Sequence, residues 1–103
     1  MPVQDTSRKA YREIIPRLGP LETKVLKAVY RNPQSCDREL KGITGLEINS
    51  VTARRNKLVA LGFLREDGTK LSSTGKTVLS WTITQKGIDH LFLLKQRRLN
   101  QYD

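Results

Sequence analysis

Ser50, Thr52, Arg54, Arg55, Asn56 and Lys57 fall within eight residues and bring two hydroxyls, three cations and one amide into a single short segment. Such groups recognise rather than transform: cations pair with phosphates, while hydroxyls and amides hydrogen-bond to polar edges such as those of bases. Other chemistry lacks its players. Cys36 and His90 are the only soft or imidazole ligands and stand on separate elements, so a zinc site lacks its minimum set. No second histidine, catalytic cysteine setting or clustered carboxylate pair is present for nucleophilic or general acid–base work. Gly75-Lys76-Thr77 matches the end of a phosphate-binding loop, but that motif needs glycine where Lys70 stands, and a helix where residues 78–83 alternate as a strand. The expectation is a binding protein with no cofactor, no metal and no evident small-molecule ligand, and not an enzyme.

The polar segment belongs to one helix if Asn49 takes the N-cap, its side-chain oxygen accepting an orphan backbone N–H, and Gly62 takes the left-handed position beyond the last turn. At about 100° per residue, Val51, Leu58 and Leu61 share a narrow arc, the buried side. Thr52, Ala53, Asn56, Lys57 and Ala60 lie opposite, and Arg54 and Arg55 flank the apolar stripe. A face of this kind fits a DNA major groove: small residues allow close approach, Ser50, Thr52 and Asn56 reach base edges, and the arginines reach phosphates. The alternative for either arginine is a pairing with an acid that locks the helix into the domain.

The 103 residues suffice for one domain with a modest core. Lys and Arg number 19 against 10 Asp and Glu, a formal charge of +9, and the resulting field attracts polyanions. No acid lies between Glu47 and Glu66 or between Asp67 and Asp89, which points to a basic face on the helix and on the segment after it. Glu22, Asp37 and Glu39 are expected early in helices, where they complement the dipole. One cysteine excludes an internal disulfide, and neither a secretory segment nor a long apolar span is present. A cytoplasmic, nucleoid-associated protein with no membrane partner is expected.

Thr6 or Ser7 caps a first short helix that carries Ala10, Tyr11, Ile14 and Ile15 and ends near Pro16 and Gly19. Pro20 opens a second helix to about Arg31, with Leu21, Val25, Leu26 and Val29 inward and Asn32-Pro33 as the stop. Ser35-Cys36 is a brief extended piece, and Asp37 caps a third helix through Leu40 to about Ile43, broken at Gly45. After the basic helix, residues 63–66 read as a strand, Asp67-Gly68 begins a turn, and residues 77–83 form the second strand of a hairpin. Its polar tip, residues 67–76, offers Lys70, Ser73 and Lys76 to a phosphate backbone, and Trp81 anchors the hairpin on the core. Thr84 caps a last helix from Gln85 to about Asn100. The fold class is mainly α with a small antiparallel β-hairpin (α+β). It is the order of a winged helix-turn-helix in one domain: a helical extension over residues 1–19, a winged core over 20–84 and a C-terminal helix over 85–103.

Five pieces, TSRKAY at 6–11, LGPLETKVLKAV at 18–29, TGLEINSVTARRNKLVALGFL at 44–64, STGKTVLSW at 73–81 and TQKG at 84–87, resemble the small winged-helix proteins frequent in phage and prophage genomes, related to MarR-like regulators. That resemblance implies sequence-specific binding of double-stranded DNA, as a transcription regulator, with the helix over 50–61 in the major groove and the wing beside it. It supports Asn49, Ser50, Thr52, Arg54, Arg55 and Asn56 in the helix, and Lys70 and Lys76 in the wing.

Leu91-Phe92-Leu93-Leu94 places four consecutive apolar residues on the last helix, more than one intramolecular face buries. Either the N-terminal helix wraps them, or a homodimer packs through Leu91, Phe92, Leu94 and the N-terminal helix, as in MarR-like proteins. A two-fold dimer calls for an approximately palindromic site. Two other uses of the same fold stand beside regulation: docking on a host polymerase or replication protein, and binding at a replication origin.

Overall fold

The computed structural model describes residues 18–100, with side chains described as far as Leu94. The expected first helix, from Thr6 or Ser7 to near Pro16, and its share in a dimer lie outside the described residues. Helix α1 (Pro20–Arg31) starts where proline is tolerated, in a first turn whose N–H groups have no intrahelical acceptor, and Asn32 closes it by donating its backbone N–H to Ala28 O and Val29 O.

Helix α2 (Asp37–Thr44) is capped by Cys36 rather than by Asp37. The reason lies in residues 34–36. Trp81 N–H donates to Ser35 O at 2.9 Å and Gln34 N–H to Trp81 O at 3.0 Å, which bridges Ser35 to the hairpin after the turn at Gln34 and leaves the chain extended at Cys36. Glu39 then accepts the Cys36 backbone N–H at 3.1 Å. Asp37 becomes the first helical residue, and its carboxylate is left to turn toward the next helix. Gly45, at φ 76°, ends α2 in the left-handed region.

Helix α3 (Ile48–Ala60) is capped by Glu47, so Asn49 lies inside the first turn and is not the N-cap. Thr44 tightens the turn between α2 and α3: its hydroxyl donates to Leu40 O at 2.7 Å and accepts the Leu46 N–H at 3.2 Å. Glu47 is consequently already extended, and its carbonyl accepts the Val51 N–H. At the far end Gly62 adopts φ 81°, donating to Val59 O while Phe63 N–H donates to Leu58 O. These two bonds form the Schellman stop that the glycine foretold.

Strands β1 (Leu64–Leu71) and β2 (Thr77–Ile83) pair antiparallel, Leu64 opposite Ile83 and Leu71 opposite Thr77. Strand β1 therefore runs past Asp67-Gly68, where a turn was expected. Between the Glu66–Trp81 and Thr69–Leu79 pairs, Asp67 and Gly68 together oppose Ser80, and Gly68 takes φ 76°. An Asp-Gly pair serves a bulge as well as a turn, because both need one left-handed residue. Ser80 Oγ donates to Asp67 O at 2.6 Å and fills the gap. The true tip is residues 72–76, closed by Gly75 N–H to Ser72 O.

Helix α4 (Gln85–Asn100) is capped by Thr84, whose hydroxyl accepts the Gly87 N–H at 3.1 Å and donates to Gly62 O at 2.6 Å. A Cβ at Gly87 would run into Phe63 O and stand 2.7 Å from Ile83 Cγ1, so α4 meets the α3–β1 junction only because that residue is glycine. Val25, Leu26, Val29, Leu40, Val51, Leu58, Phe63 and Leu64 form the core, each at most 2% exposed. The seat of α3 is thus its apolar stripe. Among the described residues no helix is long and apolar enough to cross a membrane.

Candidate nucleic-acid interface

Asn49, Ala53, Asn56, Lys57 and Ala60 are the exposed residues of α3 beyond its first residue, Ile48, and their spacing puts them on one side of the helix. Val51 and Leu58 are fully buried beneath them, while Ser50 and Thr52 are half-buried at the edges. The outward face is the one expected from the periodicity. Its cations are held differently from what the sequence order implied.

Arg55 turns inward. Its Nε donates to Asp37 Oδ1 at 2.9 Å and its Nη2 to Asp37 Oδ2 at 2.6 Å, and the guanidinium lies 4.1 Å above the Trp81 ring. The side chain is only 12% exposed. A fork of this kind is a strong, geometrically demanding contact, reinforced by the aromatic face beneath it. Arg55 therefore realises the locking alternative, joining α3 to α2 and the hairpin. Its Nη1 donates to Asn56 Oδ1, and Thr52 Oγ donates to Asp37 Oδ2 at 3.1 Å.

Arg54 and Lys57 share an acid from α1. Lys57 Nζ donates to Glu22 Oε1 at 3.0 Å, and Arg54 Nη1 lies 3.8 Å from the same oxygen. Glu22 is buried, and the hydrogen bond from Lys57, with a backbone N–H next, lowers its carboxyl below the ordinary range. Both cations keep part of their surface, 37% for Arg54 and 48% for Lys57.

In the hairpin, Lys70 is drawn back to α2, donating to Glu39 Oε1 at 2.7 Å and to Gln34 O at 3.2 Å. Glu39 is lowered in turn, first by Lys70 and then by the Cys36 N–H. Lys70 sits in the body of β1, not in the tip. Ser73 and Lys76 are exposed at the tip, and Lys76 makes no ion pair among the described residues. A cleft of about 520 Å³ separates the start of α3 from the hairpin, with Ile48, Thr52, Arg55, Lys76, Val78 and Leu79 among its walls.

A stretch free of acids in sequence is therefore not free of them in space. Glu22, Asp37 and Glu39 reach the basic residues from α1 and α2, across 35, 18 and 31 positions respectively. Sequence reasoning placed these acids at helix starts and missed their second task. The one available signal was excess: Asp37 and Glu39 begin the same short helix, and only one carboxylate is needed to close its cap. Trp81 was expected as an anchor and is buried at 7% exposure, but its service as a platform for Arg55 was not legible.

No protein-family model matches the sequence, and no curated protein matches it. Solved structures do. A MarR protein from Peptoclostridium difficile superposes with a TM-score of 0.66 at 19% identity, covering 97% of this chain and 62% of that one. A transcriptional regulator from Thermotoga maritima gives 0.66 at 23% identity, covering 97% and 66%. FabT from Streptococcus pneumoniae, crystallised in complex with DNA, gives 0.65 at 12% identity, covering 97% and 76%. The chain spans about three fifths of the length of several of these structures, such as 61% of MarR itself. The element order, the capped α2–α3 turn and the two-stranded wing together give this chain a MarR-like winged helix-turn-helix fold.

Proposed function

We propose that the protein is a sequence-specific binder of double-stranded DNA that regulates transcription, with α3 in the major groove and the hairpin tip on the backbone. One observation carries this reading: the outward face of α3, from Asn49 to Ala60, is uncovered, small and polar, and edged by Arg54 and Lys57. Asn49, Ser50, Thr52 and Asn56 serve as base-side contacts, and Arg54, Lys57, Ser73 and Lys76 as phosphate contacts. Arg55 and Lys70 act from behind, holding α3 and β1 to α2. The formal charge of +9 supplies the attraction, and FabT, of the same fold, has been seen with DNA. Assignment to a phage or prophage rests on the sequence resemblance.

A homodimer through α4 is part of the proposal. Phe92 is 52% exposed and Leu91, Leu93 and Leu94 are half-buried, an apolar strip that the described residues leave incompletely covered.

Titration of duplex binding against salt tests the reading. Binding should weaken steeply as salt rises, and Lys76→Ala should weaken it for all sequences and reduce the slope of log K against log salt by about one. Salt-independent binding, or none, refutes it.

A further inference from the structure

The side chains along the middle of the outward face of α3 differ in kind from those at its edges. At about 100° per residue, Asn49, Ala53, Asn56 and Ala60 follow one another down that middle line, so amide and methyl alternate. All four are exposed, and the Asn49 side chain makes no hydrogen bond among the described residues. The cations stand aside. Arg55 is forked to Asp37 with its side chain only 12% exposed, while Arg54 and Lys57 both turn to Glu22. No residue of α3 is an acid.

We propose that α3 reads A·T base pairs and not G·C pairs, with Asn49 and Asn56 on adenines and Ala53 against a thymine methyl. The inference rests on α3 entering the major groove and deepens that reading by naming the class of site. Arginine or lysine reads guanine through O6 and N7, and Asp or Glu accepts from cytosine N4. An asparagine amide gives to adenine N7 and takes from N6, and a small apolar side chain packs on the thymine methyl. The middle of α3 therefore holds both readers of A·T pairs and neither reader of G·C pairs. From Asn49 to Asn56 the helix rises about 10.5 Å, roughly three base steps of about 3.4 Å, so the three contacts fall within one short A·T run.

Selection of random duplexes, read by sequencing the bound pool, tests this, with anisotropy titrations of the recovered duplex and its base analogues. Asn49→Ala and Asn56→Ala should each relax one position, and at both the unaltered protein should prefer adenine by roughly tenfold. Replacing those adenines singly by 7-deazaadenine, which lacks the N7 acceptor, should weaken the unaltered protein severalfold and leave the matching Asn→Ala variant unaffected. Uracil in place of thymine, which removes the methyl, should cost roughly threefold at one position of the same run and nothing in Ala53→Gly. Should Ala53→Gly fail to fold, the asparagine variants decide alone. G·C pairs at the relaxed positions, no position relaxed by either Asn→Ala variant, or indifference of the unaltered protein to both analogues overturns the inference while leaving groove binding intact. Failure of the unaltered protein to enrich any duplex overturns both.

Discussion

Replacing Glu22 by glutamine should move stability and DNA affinity in opposite directions. The substitution keeps the shape and an acceptor for Lys57 Nζ but removes the charge shared by Lys57 at 3.0 Å and Arg54 at 3.8 Å. The Glu22 side chain is 8% exposed and Lys57 48%, so the pair lies between the exposed and buried extremes. Its loss should cost about 1 kcal/mol. For a domain of this size that corresponds to a fall in Tm of about 4–8 °C. Binding works the other way. A phosphate held by Lys57 would lie on the order of 6 Å from the Glu22 carboxylate, where repulsion in a near-aqueous dielectric is about 0.7 kcal/mol. Removing it should tighten duplex binding roughly threefold at low salt, an advantage that shrinks as salt screens the interaction. Thermal melts and fluorescence anisotropy on the same preparations measure both. Weaker binding by Glu22→Gln would show that the acid positions these cations for DNA instead of restraining them, and would refute the reasoning.

Gly87→Ala should destabilise the fold by about 2 kcal/mol or more, because the added Cβ meets Phe63 O and comes within 2.7 Å of Ile83 Cγ1; a thermal melt checks it. Arg55→Ala should cost about 3 kcal/mol by stripping Asp37 of its fork, whereas Asn56→Ala, on the exposed face, should change stability by less than about 0.5 kcal/mol in urea titrations. Glu22 and Glu39 titrate lower in the folded chain than in the unfolded one, so their contribution is present above the ordinary carboxylate range and is lost as pH falls through the lowered folded values. The Tm gap between the unaltered protein and Glu22→Gln should accordingly narrow in acid, as melts across a pH series will show.

The parts of the fold legible in the sequence are those decided by neighbours. Pro20, Gly62 and the Thr84–Gly87 cap act within one turn of chain, and the apolar stripe of α3 follows from helical geometry alone. Errors arose where a local signal serves two structures. Asp67-Gly68 supplies a left-handed residue to a bulge as readily as to a turn, and Asn49-Ser50 invites a cap that the Thr44-braced turn had already placed at Glu47. At the interface the outward face of α3 was legible and the state of its cations was not. Whether Arg54 or Arg55 stays outside depends on Glu22, Asp37 and Trp81, which arrive only through tertiary packing.

The most direct measurement is a residue-by-residue NMR titration of the folded protein with duplex DNA, following backbone amides and the Asn49 and Asn56 side-chain amides. The largest shifts should fall on Asn49, Ala53, Asn56, Lys57 and Ala60 of α3 and on Ser73 and Lys76 of the hairpin tip. Shifts confined to α1 or α4, with the outward side of α3 unchanged at saturation, would contradict the account.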